Sequence, residues 1–105
     1  MPEKDIKLEE LDPILHERVR LAIMVLLSET DELDYNTIRG YLEVTDGNLA
    51  SHLRKLEDHG LIKVRKTFKG RRPRTYYSLT EKGREKLLSY LAALKSLISR
   101  VKESP

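Results

Sequence analysis

At Gly60 the spacing of apolar residues in this chain changes. Before it, Leu49, Leu53 and Leu56 recur every three or four residues; after it, the run LIKVRKTF alternates apolar and basic side chains through Arg65. The first spacing lays an apolar stripe along a helix, and the second puts apolar groups on one face of a strand. Helical spacing returns near the end, where Leu87, Leu91, Leu94, Ile98 and Val101 are four, three, four and three residues apart. A chain patterned this way is confined to helices packed around one β-hairpin, a mainly α fold with a small β component (α+β).

The 105 residues read as a single domain, since a domain takes roughly 100–200. Its elements follow as helix, helix, helix, hairpin, helix. Residues 1–11 carry mixed charge and form a flexible arm with Leu8 and Leu11 as anchors. Asp12 and Pro13 open a first helix, 12–28, with Asp as N-cap and Pro where its missing N–H costs nothing. Val19, Ile23, Leu26 and Leu27 line this helix. Leu15, Ala22, Met24 and Val25 widen the stripe until more than one side needs cover.

Residues 34–59 hold two short helices, a helix-turn-helix signal. Asp34 caps YNTIRGYL, and Thr45 or Asp46 caps the helix that ends at His59. Gly60 then supplies a left-handed residue, and Leu61 folds back onto Leu56. The hairpin spans 61–79, turning at KGRRP and returning as RTYYSL. Thr80 caps the last helix, 80–102, whose apolar residues form a heptad seam suited to a partner helix. Gly83 weakens its first turn by about 1 kcal/mol relative to Ala, so close packing is expected there.

Charge is unevenly divided. Residues 1–50 carry net −7 and residues 51–105 net +10, for +3 overall. A basic half on a small protein points to a polyanionic partner. There are no cysteines, which excludes disulfides, thiolate metal sites and Cys nucleophiles. The longest apolar run, Leu21 to Leu27, is far shorter than a membrane span, and MPEKDIKLEE is no secretion signal, so a cytoplasmic location is expected.

On the third helix, Leu49, Leu53 and Leu56 fall within roughly 60° of arc and set the buried face. Gly47, Ser51, Arg54, Lys55 and Asp58 point away from it, with Asn48 at the edge. Small residues, hydroxyls, amides and guanidinium groups are what a helix needs to reach base edges in a major groove. Thr45 and the first-turn amides are placed to steady a phosphate. The hairpin adds Lys63, Arg65, Lys66, Lys69, Arg71, Arg72 and Arg74 with no acid among them. Such a run repels itself in isolation and gains affinity by counterion release beside a phosphate backbone. Gly70 and Pro73 shape its tip.

The stretch NLASHLRKLEDHGLIKVRKTFKGRRPRTYYSLTEKGREKL resembles the winged-helix DNA-binding domain of small regulators of the MarR and ArsR group. The most specific pieces are S-H-L-x-K-L-x-x-x-G-L-I at Ser51–Ile62 and Y-S-L-T-x-x-G-R at Tyr77–Arg84. The resemblance implies that Asn48, Ser51, His52 and Lys55 lie on a recognition-helix surface and that Lys69 to Arg74 form the wing. Helical geometry instead places His52 beside the buried face. The resemblance also implies dimerisation through the first and last helices. The interface residues are then Val19, Ile23, Leu87, Leu91, Leu94, Ile98 and Val101.

The expected function is therefore that of a transcriptional regulator, a repressor binding duplex DNA as a homodimer at an inverted repeat. No cofactor, metal or catalytic site is expected. His52 and His59, seven apart on one helix, cannot chelate one ion, and His16 sits elsewhere. Ser51 and His52 diverge as adjacent helical residues and make no nucleophile–base pair. A protein-interaction or RNA-binding module using the same basic hairpin is the alternative, and a metal-dependent sensor or small enzyme is a further one.

Overall fold

The computed structural model describes residues 5–105. A short 3-10 turn, Leu8–Glu10, precedes helix α1 (Arg18–Ser28). Strand β1 (Leu33–Asp34), helix α2 (Tyr35–Tyr41) and helix α3 (Asp46–Asp58) follow. Strands β2 (Ile62–Lys69) and β3 (Arg72–Leu79) form the hairpin, and helix α4 (Glu81–Lys102) ends the chain. The sheet is antiparallel in the order β1-β3-β2.

Local chemistry sets each boundary. Asp34, Thr45 and Thr80 cap α2, α3 and α4 by accepting from the amides of Thr37, Asn48 and Gly83. Gly60, at φ 72°, closes α3 in a Schellman arrangement. The Leu61 amide there donates to Leu56 O and the Gly60 amide to Glu57 O. Lys69 pairs with Arg72 across a two-residue tip, Gly70-Arg71. Gly70 has φ 66° while Arg71 stays out of the left-handed region, the pattern of a type II′ turn. At Gly83 a Cβ would overlap the Leu61 carbonyl oxygen, the close packing that compensates its poor helix propensity.

The start of the chain corrects two sequence expectations. The first helix does not start at Asp12. Asp12 caps a single turn, its Oδ1 accepting from the Ile14 amide at 2.8 Å, and the chain straightens at Glu17 (φ −153°, ψ 130°) before α1 begins. The Ile14 carbonyl is taken by Arg20 Nε at 2.6 Å, and Glu17 Oε1 accepts from the Arg20 amide instead, starting a new helix. In the arm, Leu11 packs against the core while Leu8 is exposed and anchors nothing; residues 1–4 lie outside the described residues.

The core gathers Leu15, Ile23, Met24, Leu27, Ile38, Leu49 and Leu56, all fully buried. Burying a side chain of this size contributes roughly 1.5–3 kcal/mol against the entropy of ordering it. Leu87 and Tyr90 seat the first half of α4 on this core, and the Tyr90 hydroxyl meets His16 Nδ1 at 2.7 Å. Val19, Ile23 and Leu87 are therefore core residues of their own chain, 8%, 0% and 3% exposed, and are not open to a partner. α1 is covered by its own chain along Val19, Ile23, Met24 and Leu27, while Leu21, Ala22 and Leu26 are half-buried and Val25 is exposed. The second half of α4 is different: Leu91, Ile98 and Val101 are exposed, with Leu88 beside them, and Leu94 is half-buried.

Candidate nucleic-acid interface

α3 turns its leucines inward and leaves Gly47, Asn48, Ser51, Arg54 and Lys55 exposed. Among the described residues, no side chain pairs with those of Asn48, Ser51, Arg54 or Lys55, so their donors face solvent. Thr45 is exposed at the start of the helix, with Oγ1 accepting from the Asn48 amide at 3.2 Å. Asp46 links α3 to α2. Its Oδ1 takes Arg39 Nε at 3.1 Å and the Tyr35 hydroxyl at 3.0 Å. Burial and then the Asp46 hydrogen bond raise the Tyr35 pKa, keeping the phenol protonated as a donor.

The hairpin stands beside this helix. Opposed residues of an antiparallel pair share a face, so Ile62, Val64, Lys66 and Phe68 align with Leu79, Tyr77, Thr75 and Pro73. Ile62 is buried and Tyr77 and Leu79 pack against the core, which identifies this face as the one toward the helices. Toward the tip that face carries exposed Lys66 and Phe68, with Lys69 and Arg71–Arg72 at the end. Phe68 is 71% exposed. In the sequence it stands out only as a strand former; its place across from Pro73 appears once the register is known.

The seven bases of the hairpin are not equivalent. Arg65 donates to both carboxylate oxygens of Glu32, at 2.6 and 3.2 Å, and lies 4.5 Å over the Tyr76 ring. The hydrogen bond from Arg65 holds the Glu32 carboxyl below its usual pKa. Arg74 donates to Asp34 Oδ2 at 3.0 Å. Asp34 is also held low, first by the hydrogen bonds from Thr37 and then by Arg74. Arg74, read from sequence as a DNA contact, is thus partly covered and tied to its own chain. Lys63, Lys66, Lys69, Arg71 and Arg72 remain exposed without an ion pair among the described residues.

His52 also departs from the recognition surface. It is half-buried, turned toward α1, with Nδ1 2.9 Å from Arg20 Nη1 and 3.7 Å from Glu17 Oε1. The helical wheel rather than the resemblance describes its position. Arg20 escapes sequence reasoning altogether, because a lone basic residue in an apolar helix carries no spacing signal. Among the described residues, no three or more His, Asp or Glu side chains are grouped to hold a metal ion.

A family model described as a winged helix DNA-binding domain matches residues 19–98. An uncharacterized protein of Methanocaldococcus jannaschii is 32% identical over 88 residues, covering 84% of this chain and 96% of that one. The solved structure of a transcriptional regulator homologue from Pyrococcus horikoshii superposes with a TM-score of 0.81 at 37% identity, covering 89% of this chain and 93% of that one. Bacillus subtilis PadR, solved in complex with operator DNA, superposes with a TM-score of 0.64 at 27% identity, over 71% of this chain and 48% of its own.

Proposed function

The chain belongs to the winged helix DNA-binding domain family, and from that premise we propose that it is a sequence-specific regulator of transcription that binds duplex DNA as a homodimer. One observation carries this reading: the polar face of α3 lies beside a hairpin whose tip presents Lys66, Lys69, Arg71 and Arg72, none of them ion-paired among the described residues. In the proposed complex, Asn48, Ser51, Arg54 and Lys55 read base edges in the major groove while Gly47 allows close approach. Thr45 and the first turn of α3 meet a phosphate, and the wing tip with Gly70 follows the flanking backbone.

Dimerisation rests on α4. Leu88, Leu91, Ile98 and Val101 are exposed apolar residues of the 22-residue α4. A twofold pair would set two recognition helices about 34 Å apart and call for an inverted-repeat operator. Occupying such a site blocks polymerase access, so repression is the proposed output. Selection of bound sequences from random duplexes tests the whole reading. An enriched inverted repeat supports it; enrichment of RNA over duplex DNA in a competition titration would replace it with the RNA-binding alternative.

A further inference from the structure

Phe68, the chain's only phenylalanine, stands 71% exposed near the tip of the wing. Among the described residues, no ring packs on it and no cation sits over it. A lone apolar side chain on a surface is ordinary, but this one has a setting. It lies directly across from exposed Pro73. Lys69 and Arg72 flank the two-residue turn as a hydrogen-bonded pair, so by alternation Phe68 and Pro73 form the next, non-hydrogen-bonded pair. Side chains approach each other most closely in such pairs.

Pro73 also decides what the tip can bind. At a non-hydrogen-bonded position the β3 amide would point outward, and β1 covers that edge only at Tyr76 and Tyr77. Proline removes the donor and blunts the edge against an added strand. The tip therefore presents side chains rather than backbone to a partner. Around the apolar pair, Lys66, Lys69, Arg71 and Arg72 are exposed and make no ion pair among the described residues. An apolar group set within unpaired cations suits a polyanion that also offers apolar surface. One ring is too little apolar area to hold the chain on a membrane.

We propose that Phe68, backed by Pro73, is an apolar wedge that enters the DNA minor groove and partly unstacks one base step, so that the wing selects a deformable step beside the sequence read by α3. This inference rests on the duplex-binding reading above. Past β1 the wing is a two-stranded ribbon with strands about 5 Å apart and side chains on both faces. A minor groove about 6 Å wide admits a flat ring but not that ribbon. Phosphates wall the groove on both sides, and along the ribbon Lys66 precedes the ring while Arg71 follows it. Wedged phenylalanines and prolines kink DNA by opening a step, and pyrimidine–purine steps such as TA and CA open most easily. The wedge thus gives the wing sequence preference without a hydrogen bond to a base.

Selection from random duplexes is run on the wild type, Phe68→Ala and Phe68→Leu. The wild type should enrich a TA or CA step at a fixed distance outside the sequence read by α3. Phe68→Ala should lose that step, keep the rest, and bind the selected duplex roughly tenfold more weakly. Its slope of log K against log salt should equal the wild-type slope, because no charge is removed. Phe68→Leu should retain the step, since leucine also serves as a wedge. With 2-aminopurine in the selected step, fluorescence should rise on binding wild type and stay quenched with Phe68→Ala. Wild-type step preference in Phe68→Ala overturns the wedge, whether or not its melting temperature falls, and so does a wild-type complex that leaves 2-aminopurine quenched. Phe68-dependent binding to phosphatidylserine vesicles with unaltered duplex affinity overturns it in favour of a membrane contact. If the wild type binds no duplex, the function reading falls and takes the wedge with it. If binding depends on Arg71 and Arg72 but not on Phe68, only the wedge falls.

Discussion

The tip and the base of the wing are built from the same residue types and are used differently. At the base, Arg65 and Arg74 lie opposite Glu32 and Asp34, contributed by the loop after α1 and by β1. At the tip, Lys69, Arg71 and Arg72 extend beyond the two-residue β1 and meet no acid among the described residues. A short edge strand thus divides one run of positive charge into a structural portion and a portion free for a ligand. Charge density along a sequence overstates a binding surface whenever a later packing partner is acidic.

The largest expected effect tests the tip. Changing Arg71 and Arg72 to Glu removes two proposed phosphate contacts and adds repulsion. Affinity for every duplex sequence should fall by about 100-fold or more, with a shallower salt dependence and an unchanged melting temperature. Fluorescence anisotropy across salt concentrations measures the first two. An unchanged affinity would make the tip as inert as the base and erase the distinction.

The same sorting by exposure applies on α4. A heptad seam was legible as a run of spacings, but spacing does not say which members the chain's own core consumes. Leu87 is consumed; Ile98, 54% exposed, is not. Ile98→Asp should leave the monomer folded, convert dimers to monomers in sedimentation, and weaken binding to an inverted-repeat duplex by about tenfold or more through lost effective concentration. Unchanged sedimentation would remove α4 from the proposed interface.

Much of the architecture was readable because local rules and tertiary context agree. Caps at Asp34 and Thr80, the glycine stop at Gly60 and the change of period after it each act within a few residues of chain. The failures share a cause. The start of α1, the loss of Arg74 to Asp34 and the turning of His52 toward Arg20 all depend on pairs separated by six to forty residues. The outward face of α3 was legible, whereas the Arg20–His52 contact between α1 and α3 needed the fold before it could be seen.

A smaller effect separates reading from gripping. Ser51→Ala and Lys55→Ala should reduce affinity for a selected operator by roughly tenfold while leaving random duplex nearly unaffected, since base-edge contacts contribute about 1–3 kcal/mol of discrimination each. Equal losses on both DNAs would place these side chains on phosphates and make α3 resemble the wing tip.

The smallest effect belongs to the wing base and concerns stability. Asp34 has its pKa lowered from the usual 3.8, first by the hydrogen bonds from Thr37 and also by Arg74. A carboxyl whose folded pKa is depressed contributes stability above its unfolded pKa and loses it as pH falls through the folded value. Asp34→Asn keeps a side-chain oxygen to cap α2 but removes the charge that faces Arg74. Both partners are partly exposed, so the cost near neutral pH should stay below about 1 kcal/mol. The melting-temperature gap between variant and wild type should narrow only below pH 3.8, as the wild-type carboxyl protonates. DNA affinity should change little, because Arg74 freed from Asp34 still sits below the tip. A large gain in affinity would instead mean that Asp34 holds back a guanidinium that DNA can use, and would move the boundary between base and tip by one residue pair.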